Sequence, residues 1–340
     1  MKTSAALWSR RAEKLAGKLP PGRLHPAVRA WAGSSRSRGP WVVALSGGAD
    51  SLALLLLLWA HWPQRRGRLC AVHFNHRLRG RAADRDETFC REVCRALGIK
   101  LWVGRRRRAQ RIESEAQARE VRFQFVERKL RAARARVLWL GHQQNDVAET
   151  LLMRLARGSG AGGLAAPRPV NVVPPGRVQL RPLLGLARGE IEAALRACGI
   201  RWRVDASNLR GDFFRNRVRL NVVPAWVAAS GRDAIAGAAR SRELLEEDDE
   251  ALEAWAARLT AAMARGRLAL GPLAGVPRAV VRRVLHRWLL GLGLAAPVSR
   301  QAFDLMLDAV IRGAPTRHSL GREGFAVLRR MELRFASKPS

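Results

Sequence analysis

Trp41-Val42-Val43-Ala44-Leu45-Ser46-Gly47-Gly48-Ala49-Asp50-Ser51 decides how this chain is read. The first five residues form a short apolar run of the length and composition of a buried strand. Two glycines follow, and an apolar helix is predicted from Ser51 onward. Glycine lets a backbone come close to an anion, and the open amides at a helix N-terminus then bind it. The strand–turn–helix setting makes the glycine pair informative. The segment lacks the Lys-Ser/Thr ending of a Walker A loop, which disfavours a simple P-loop.

Outward from this turn, short apolar runs alternate with amphipathic ones. Leu69–Phe74 reads as a second strand, and Asp86–Leu97 as a helix with Phe89, Val93 and Leu97 on one face and Gly98 placed to end it. A weaker strand at Leu101–Val103, a helix at Glu113–Ala133, a strand at Val137–Gly141 and a helix from about Asn145 to Ala156 complete the series. Strands alternating with helices specify an α/β fold with a doubly wound parallel sheet. Gly158–Gly176, rich in glycine and proline, reads as a mobile loop over the sheet edge. A helix at Arg188–Cys198 and a short extended Trp202–Asp205 then close the domain. The predicted organisation is a basic, loosely held lead-in over residues 1–39 and a catalytic domain over 40–225. A smaller, mostly helical domain over 226–340 follows, with helices at Arg278–Leu290 and Arg300–Ile311 and a short terminal β segment between Thr316 and Phe335. No internal repeat is present.

Charge is the sharpest feature of the composition. Lys and Arg total 62 against 28 Asp and Glu, a net charge of +34. The basic residues are nearly all arginine and tyrosine is absent, which points to a genomic bias, but such bias does not create a twofold excess of basic over acidic groups. That excess calls for a polyanion, and nucleic acid comes first. No basic amphipathic helix or lipidation signal favours a membrane surface instead. The most apolar run, Leu52–Trp62, is about half the length that spans a bilayer, and the N-terminus has no signal-peptide pattern. Four cysteines without a CxxC pair or zinc spacing read as reduced thiols of a cytoplasmic protein.

Ser46-Gly47-Gly48-Ala49-Asp50-Ser51 matches SGGxDS, and on that motif the chain resembles the PP-loop ATP pyrophosphatases, whose fold is adenine nucleotide alpha hydrolase-like. The resemblance implies that Ser46, Gly47, Gly48, Ala49 and Ser51 form the ATP phosphate loop and that Asp50 helps to place Mg2+. Four further segments narrow it. Val72-His73-Phe74-Asn75-His76-Arg77-Leu78-Arg79, Glu115–Arg119 with Arg122-Phe123, the run Arg157–Leu164 with Arg181-Pro182-Leu183-Leu184, and Asp205–Asn208 with Arg215–Arg219 resemble segments of tRNA(Ile)-lysidine synthetases. Arg119 and Arg122 read as structural or RNA-facing.

His142-Gln143-Gln144-Asn145-Asp146-Val147-Ala148-Glu149-Thr150 is similar to HHxDDxAET of that group. His142, Asp146 and Glu149 lie at i, i+4 and i+7, one face of a helix starting at a strand end. Two carboxylates beside ATP suit a cationic amino acid, and a histidine there suits proton handling. Gln143 stands where the group has a second His, and Asn145 where it has its first Asp. Arg217 is read as holding either the lysine carboxylate or the ATP phosphates. The resemblance implies ligation of L-lysine to the wobble cytidine of tRNA(Ile) with a CAU anticodon, with ATP and Mg2+ and with catalytic roles for Asp50, His142 and Asp146. A separate acceptor-binding domain of longer members is expected to be missing, and a homodimer is among the assemblies it allows. A PP-loop tRNA thiolase and a non-catalytic RNA-binding protein on the same scaffold are the competing readings.

Overall fold

The computed structural model describes residues 2–77, 80–106, 115–174, 176–204, 213–261, 263–264, 266–294 and 298–338. The chain divides into two compact units, residues 1–244 and 245–340. The division falls within the helix Ala234–Thr260, rather than at the predicted residue 225.

The first unit is built on six strands: β1 (Trp41–Ala44), β2 (Leu69–Asn75), β3 (Lys100–Arg105), β4 (Val137–Trp139), β5 (Val170–Val173) and β6 (Arg177–Leu180). Their order is β3-β2-β1-β4-β6-β5; all neighbours run parallel except the β5–β6 pair. The chain winds outward from β1 to β3, then crosses back to place β4 on the other side of β1. That reversal leaves a crevice beyond the C-terminal ends of β1 and β4, where ligands bind in sheets of this type.

Alternation along β1 sends its side chains to both faces of the sheet. Trp41, Val43 and Leu45 join the larger core with the helices Lys2–Lys18, Ala49–His61, Arg81–Ala96 and Arg188–Ala197. Val42 joins Val72, Phe125, Val126 and Leu130 under the helix Glu115–Ala132 on the opposite face. The helix Ala49–His61 is the hub of the larger core. Leu52 and the run Leu54–Leu58 are 0–1 % exposed, and each contributes about 1.5–3 kcal/mol by leaving water. A helix apolar on every side must be covered on every side. This requirement corrects the reading of residues 1–39 as a loose lead-in. Lys2–Lys18 is a helix that lays Trp8, Ala12 and Leu15 against the hub, and Val28 and Ala32 of Pro26–Gly33 are also buried.

The glycine- and proline-rich stretch is also more ordered than predicted. It holds the short helix Ala161–Leu164 and β5, which pairs antiparallel on the edge of β6. Residues 201–204, read as extended, join no sheet among the described residues, and Asp205 lies outside them.

The second unit, described by itself, has four antiparallel strands: β7 (Arg267–Ala269), β8 (Thr316–Ser319), β9 (Gly324–Arg329) and β10 (Glu332–Ser337), in the order β7-β10-β9-β8. Leu268, Ala326, Leu328 and Leu333 share one core with Val284, Trp288, Met306 and Val310 of the helices Arg278–Leu292 and Arg300–Arg312. Gly293 and Gly313 end these helices in the left-handed conformation that favours glycine.

Candidate active site

The loop after β1 is held by hydrogen bonds among its own residues. Ser51 Oγ receives the Ser46 amide at 3.1 Å, lies 2.9 Å from Ser46 Oγ and donates to the Gly48 carbonyl at 3.1 Å. Gly47 has φ +91°, and a Cβ there would meet Cys90, Arg203 and Phe89 at 3.3–3.5 Å. Its carbonyl accepts from the Arg203 amide at 2.9 Å, while Arg203 Nε donates to the buried Asp86 at 2.6 Å. The helix Ala49–His61 starts directly behind, with its first amides at the crevice.

Gly141, at the end of β4, packs on this loop from the other side of the crevice. A Cβ on it would sit 2.9 Å from the Asp50 carbonyl atoms and 3.0 Å from the Ser51 amide. Those neighbours are backbone and cannot rotate away. Gly141→Ala is therefore expected to destabilise the protein by about 1–3 kcal/mol, as overpacking does, in a thermal or urea unfolding experiment.

Asp50 faces the crevice with its Oδ1 buried and, among the described residues, without a hydrogen-bond partner. Burial first, and then the nearby Asp146, push its carboxyl up to about 7. An under-satisfied carboxylate beside a glycine-rich loop at a helix N-terminus fits Mg2+, which commonly takes one or two carboxylates and completes its shell with phosphate oxygens and water. Among the described residues no cluster of three or more His, Cys, Asp or Glu forms an all-protein metal cage.

The helix Gln144–Leu155 supplies the opposite wall. Asp146 and Glu149 are buried and share two arginines. Arg215 donates from Nε to Glu149 at 2.8 Å and from a terminal nitrogen to Asp146 at 2.6 Å. Arg219 grips both oxygens of Glu149, at 2.6 and 2.9 Å, and lies 3.7 Å from Asp146. Both guanidiniums sit on a helical stretch that includes a π-turn at Val218–Val222, a departure common at functional sites. Arg217, the arginine chosen from the sequence, is exposed, with its guanidinium 6.0 Å from the Phe214 ring. Arg215 and Arg219 stand at i and i+4, the spacing that puts two side chains on one helix face, whereas Arg217 at i+2 points away from it.

His142 sits at the lip of the crevice. Its Nδ1 accepts a hydrogen bond from Nε of Arg181 at 3.0 Å. Burial, then the charges of Arg181, Arg215, Arg119 and Arg122, hold its pKa well below the ordinary histidine value, so the ring is neutral at pH 7. Arg181 itself is 6 % exposed and anchored to the Arg168 carbonyl and Gln179 Oε1. The sequence signalled it only as the first residue of an apolar Arg-Pro-Leu-Leu run.

The two substitutions in the HQQND segment are structural. Gln143 is 1 % exposed; its Oε1 accepts from the Asn145 amide at 2.6 Å, and Asp146 Oδ2 accepts from the Gln143 amide at 3.0 Å. This reciprocal arrangement is a capping box. Asn145 Oδ1 accepts from the Arg188 amide at 3.2 Å, reaching the start of the helix Arg188–Ala197. Gln143→Ala is expected to remove about 1 kcal/mol, the worth of a helix N-cap, measurable as a lower urea midpoint.

The other candidates lie farther out. His73 Nδ1 bonds the Leu45 carbonyl at 2.8 Å, and Asn75 ties Asp84 and Glu87 together, so both support the strand end. Glu87 is drawn down to about 2, first by its bond to Arg105. Arg119 stands on the helix Glu115–Ala132 with its guanidinium 4.8 Å from the Phe123 ring, and Arg122 on the same helix lies 5.8 Å from it. Asp205–Asn208, Leu78 and Arg79 lie outside the described residues.

Residues 26–226, more than half of the chain, match the PP-loop domain family, and residues 268–331 match the TilS substrate binding domain. The tRNA(Ile)-lysidine synthase of Symbiobacterium thermophilum is 42% identical over 215 residues, covering 62% of this chain and 44% of the relative. That of Pseudomonas syringae pv. tomato is 35% identical over 291 residues, covering 82% of this chain and 62% of the relative. The chain thus spans about half the length of the curated relatives it matches. Among solved structures, the U34-tRNA thiolase of Methanococcus maripaludis aligns with a TM-score of 0.49 and 19% identity over 64% of this chain and 76% of that one.

Proposed function

Because the chain belongs to the PP-loop domain family, we propose that it uses ATP to ligate L-lysine to the wobble cytidine of tRNA(Ile) with a CAU anticodon. The cytidine carbonyl oxygen attacks the α-phosphorus of ATP; the bond to the β-phosphate bridging oxygen breaks and pyrophosphate leaves. The lysine side-chain amine then forms a bond to the activated ring carbon, which loses its oxygen as AMP, and the amine gives up a proton. Ser46, Gly47, Gly48, Ala49 and Ser51 hold the phosphates in this reading, and Asp50 holds Mg2+. Mg2+ held by Asp50 would supply positive charge against the departing pyrophosphate.

The observation that carries the reading is the meeting, across one crevice, of the SGGADS loop and the Asp146–Glu149–Arg215–Arg219 cluster. An amino acid with a cationic side chain is complementary to both halves of that cluster. Its ammonium replaces a guanidinium at the carboxylates, and its carboxylate meets the freed guanidinium, which forms forked hydrogen bonds with such a group. Positioning of amine and activated base then supplies most of the catalysis. The high net charge fits a tRNA partner. No helix among the described residues is long and apolar enough to cross a membrane, and we place the reaction in the cytoplasm.

Sulfur transfer finds no support in the cysteines. Cys90, Cys94 and Cys198 are buried, and burial raises the thiol pKa of all four, the reverse of a reactive thiolate. The test is incorporation of labelled lysine into tRNA(Ile) with a CAU anticodon, with and without ATP. Incorporation that needs ATP, with one AMP formed per lysine, supports the proposal. Tight tRNA binding without incorporation would sink it and leave the scaffold as an RNA-binding protein.

A further inference from the structure

Arg181 and His142 form a contact whose protons can be assigned from chemistry alone. A guanidinium has only N–H donors and no acceptor. Since Nε of Arg181 points at Nδ1 of His142 from 3.0 Å, Nδ1 must present its lone pair. A neutral imidazole with a bare Nδ1 carries its proton on Nε2. Arg181 has no freedom to turn away, because its terminal nitrogens are held by the Arg168 carbonyl at 2.8 Å and Gln179 Oε1 at 2.6 Å. Gln179 belongs to β6, so the whole relay is anchored in the sheet. Among the described residues, the contact with Arg181 is the one side-chain hydrogen bond found for His142, and it uses Nδ1.

We propose that Arg181 is a positioning residue that fixes His142 as the neutral Nε2–H tautomer, making it a hydrogen-bond donor to an oxygen of the reacting substrate. The donor role rests on the function proposed above; the tautomer does not. Burial, and then the four arginine charges felt by the ring, oppose a second proton, so His142 acts as a neutral donor and does not take the amine proton. A fixed N–H aimed where negative charge develops lowers the barrier without moving a proton.

Two experiments on the full chain separate the proposal from the function on which part of it rests. Nitrogen NMR of protein carrying labelled histidine reads the tautomer directly. His142 should show an unprotonated Nδ1 and a protonated Nε2 from pH 6 to 8. Arg181→Gln should raise the pKa of His142 and mix its two neutral tautomers, without bringing it to the ordinary histidine value, because burial and the charges of Arg215, Arg119 and Arg122 remain. A protonated Nδ1 in the parent protein overturns the proposal, and it does so whether or not lysine is ever incorporated. The second experiment compares His142→Gln with His142→Asn. The Gln amide N–H2 can reach the place of Nε2, whereas the shorter Asn reaches only that of Nδ1. The Gln variant should keep at least about tenfold more kcat than the Asn variant, with KM for lysine and ATP within about twofold of the parent. Arg181→Lys, which restores a donor toward Nδ1, should recover part of the kcat lost in Arg181→Gln. Equal loss in the Gln and Asn variants overturns the donor role. Absence of lysine incorporation in the parent, with the expected tautomer present, refutes the function and leaves the tautomer assignment standing.

Discussion

Glu149→Ala is expected to lower the stability of the protein by about 3–5 kcal/mol, the range seen when one partner of a buried ion pair is removed. Glu149 has 2 % side-chain exposure and accepts three hydrogen bonds from Arg215 and Arg219. Without it, two guanidiniums that are only 20–23 % exposed share Asp146, whose other oxygen is committed to the Gln143 amide. Glu149→Gln keeps the shape and two polar atoms but still loses the charge, so it should fall between the parent and the Ala variant. Urea unfolding followed by circular dichroism reads the difference. A Glu149→Ala protein as stable as its parent would show that the cluster is solvated in solution, and would remove it as the structured half of an amino-acid site.

Asp50→Asn should have the opposite signature: lysine incorporation falls by about 10³-fold, a loss of the several kcal/mol that a metal-supporting charge supplies, while the fold becomes no less stable. The sign follows from linkage. Burial raises the Asp50 carboxyl from 3.8 in the unfolded chain to about 7 in the fold. Above pH 7 the metal-free fold carries an ionised carboxylate that it disfavours. Between pH 7 and 4 the folded chain retains a proton that the unfolded chain has lost, so the penalty shrinks as the pH falls. The stabilisation by Asn should therefore be greatest above pH 7 and vanish toward pH 4. Thermal unfolding of the two metal-free proteins at pH 4, 6 and 8 measures this. An Asn variant that is less stable at pH 8 would mean that Asp50 has a hydrogen-bond partner in solution.

Much of the α/β unit was legible in the sequence, because its signals are local. The apolar run Trp41–Leu45, the glycine pair and the leucine-rich helix carry their structure in composition and period. What escaped was decided by partners distant in sequence. The N-terminal helix has a positive, polar look until the leucine hub it covers is placed beside it. β5 lies in a stretch whose glycines and prolines argue for a loop, and exists because the edge of β6 is open to it. At the site, helical spacing put Asp146 and Glu149 on one wall, but His142 lies ahead of the N-cap Gln143, outside the helix Gln144–Leu155 on which it was expected. Spacing had no bearing on Arg181, which reaches His142 from the end of β6, thirty-nine positions away. Arg215 and Arg219, at i and i+4, were legible as one helix face with Arg217 turned away from it; what the sequence did not carry was that this face meets Asp146 and Glu149, sixty-six or more positions away.

The HQQND segment has a consequence for how this protein will behave in the laboratory. Two side-chain amides, Gln143 and Asn145, fasten the start of one helix and stitch it to the start of another. Amides neither ionise over the working pH range nor hold divalent ions tightly. The bonds these two amides make are thus indifferent to chelators and, unlike the Asp146 half of the capping box, to acid. A bell or a step in the pH–rate curve, or a loss of rate in a chelating buffer, then reports on the groups that meet the substrate and not on this part of the frame loosening around them.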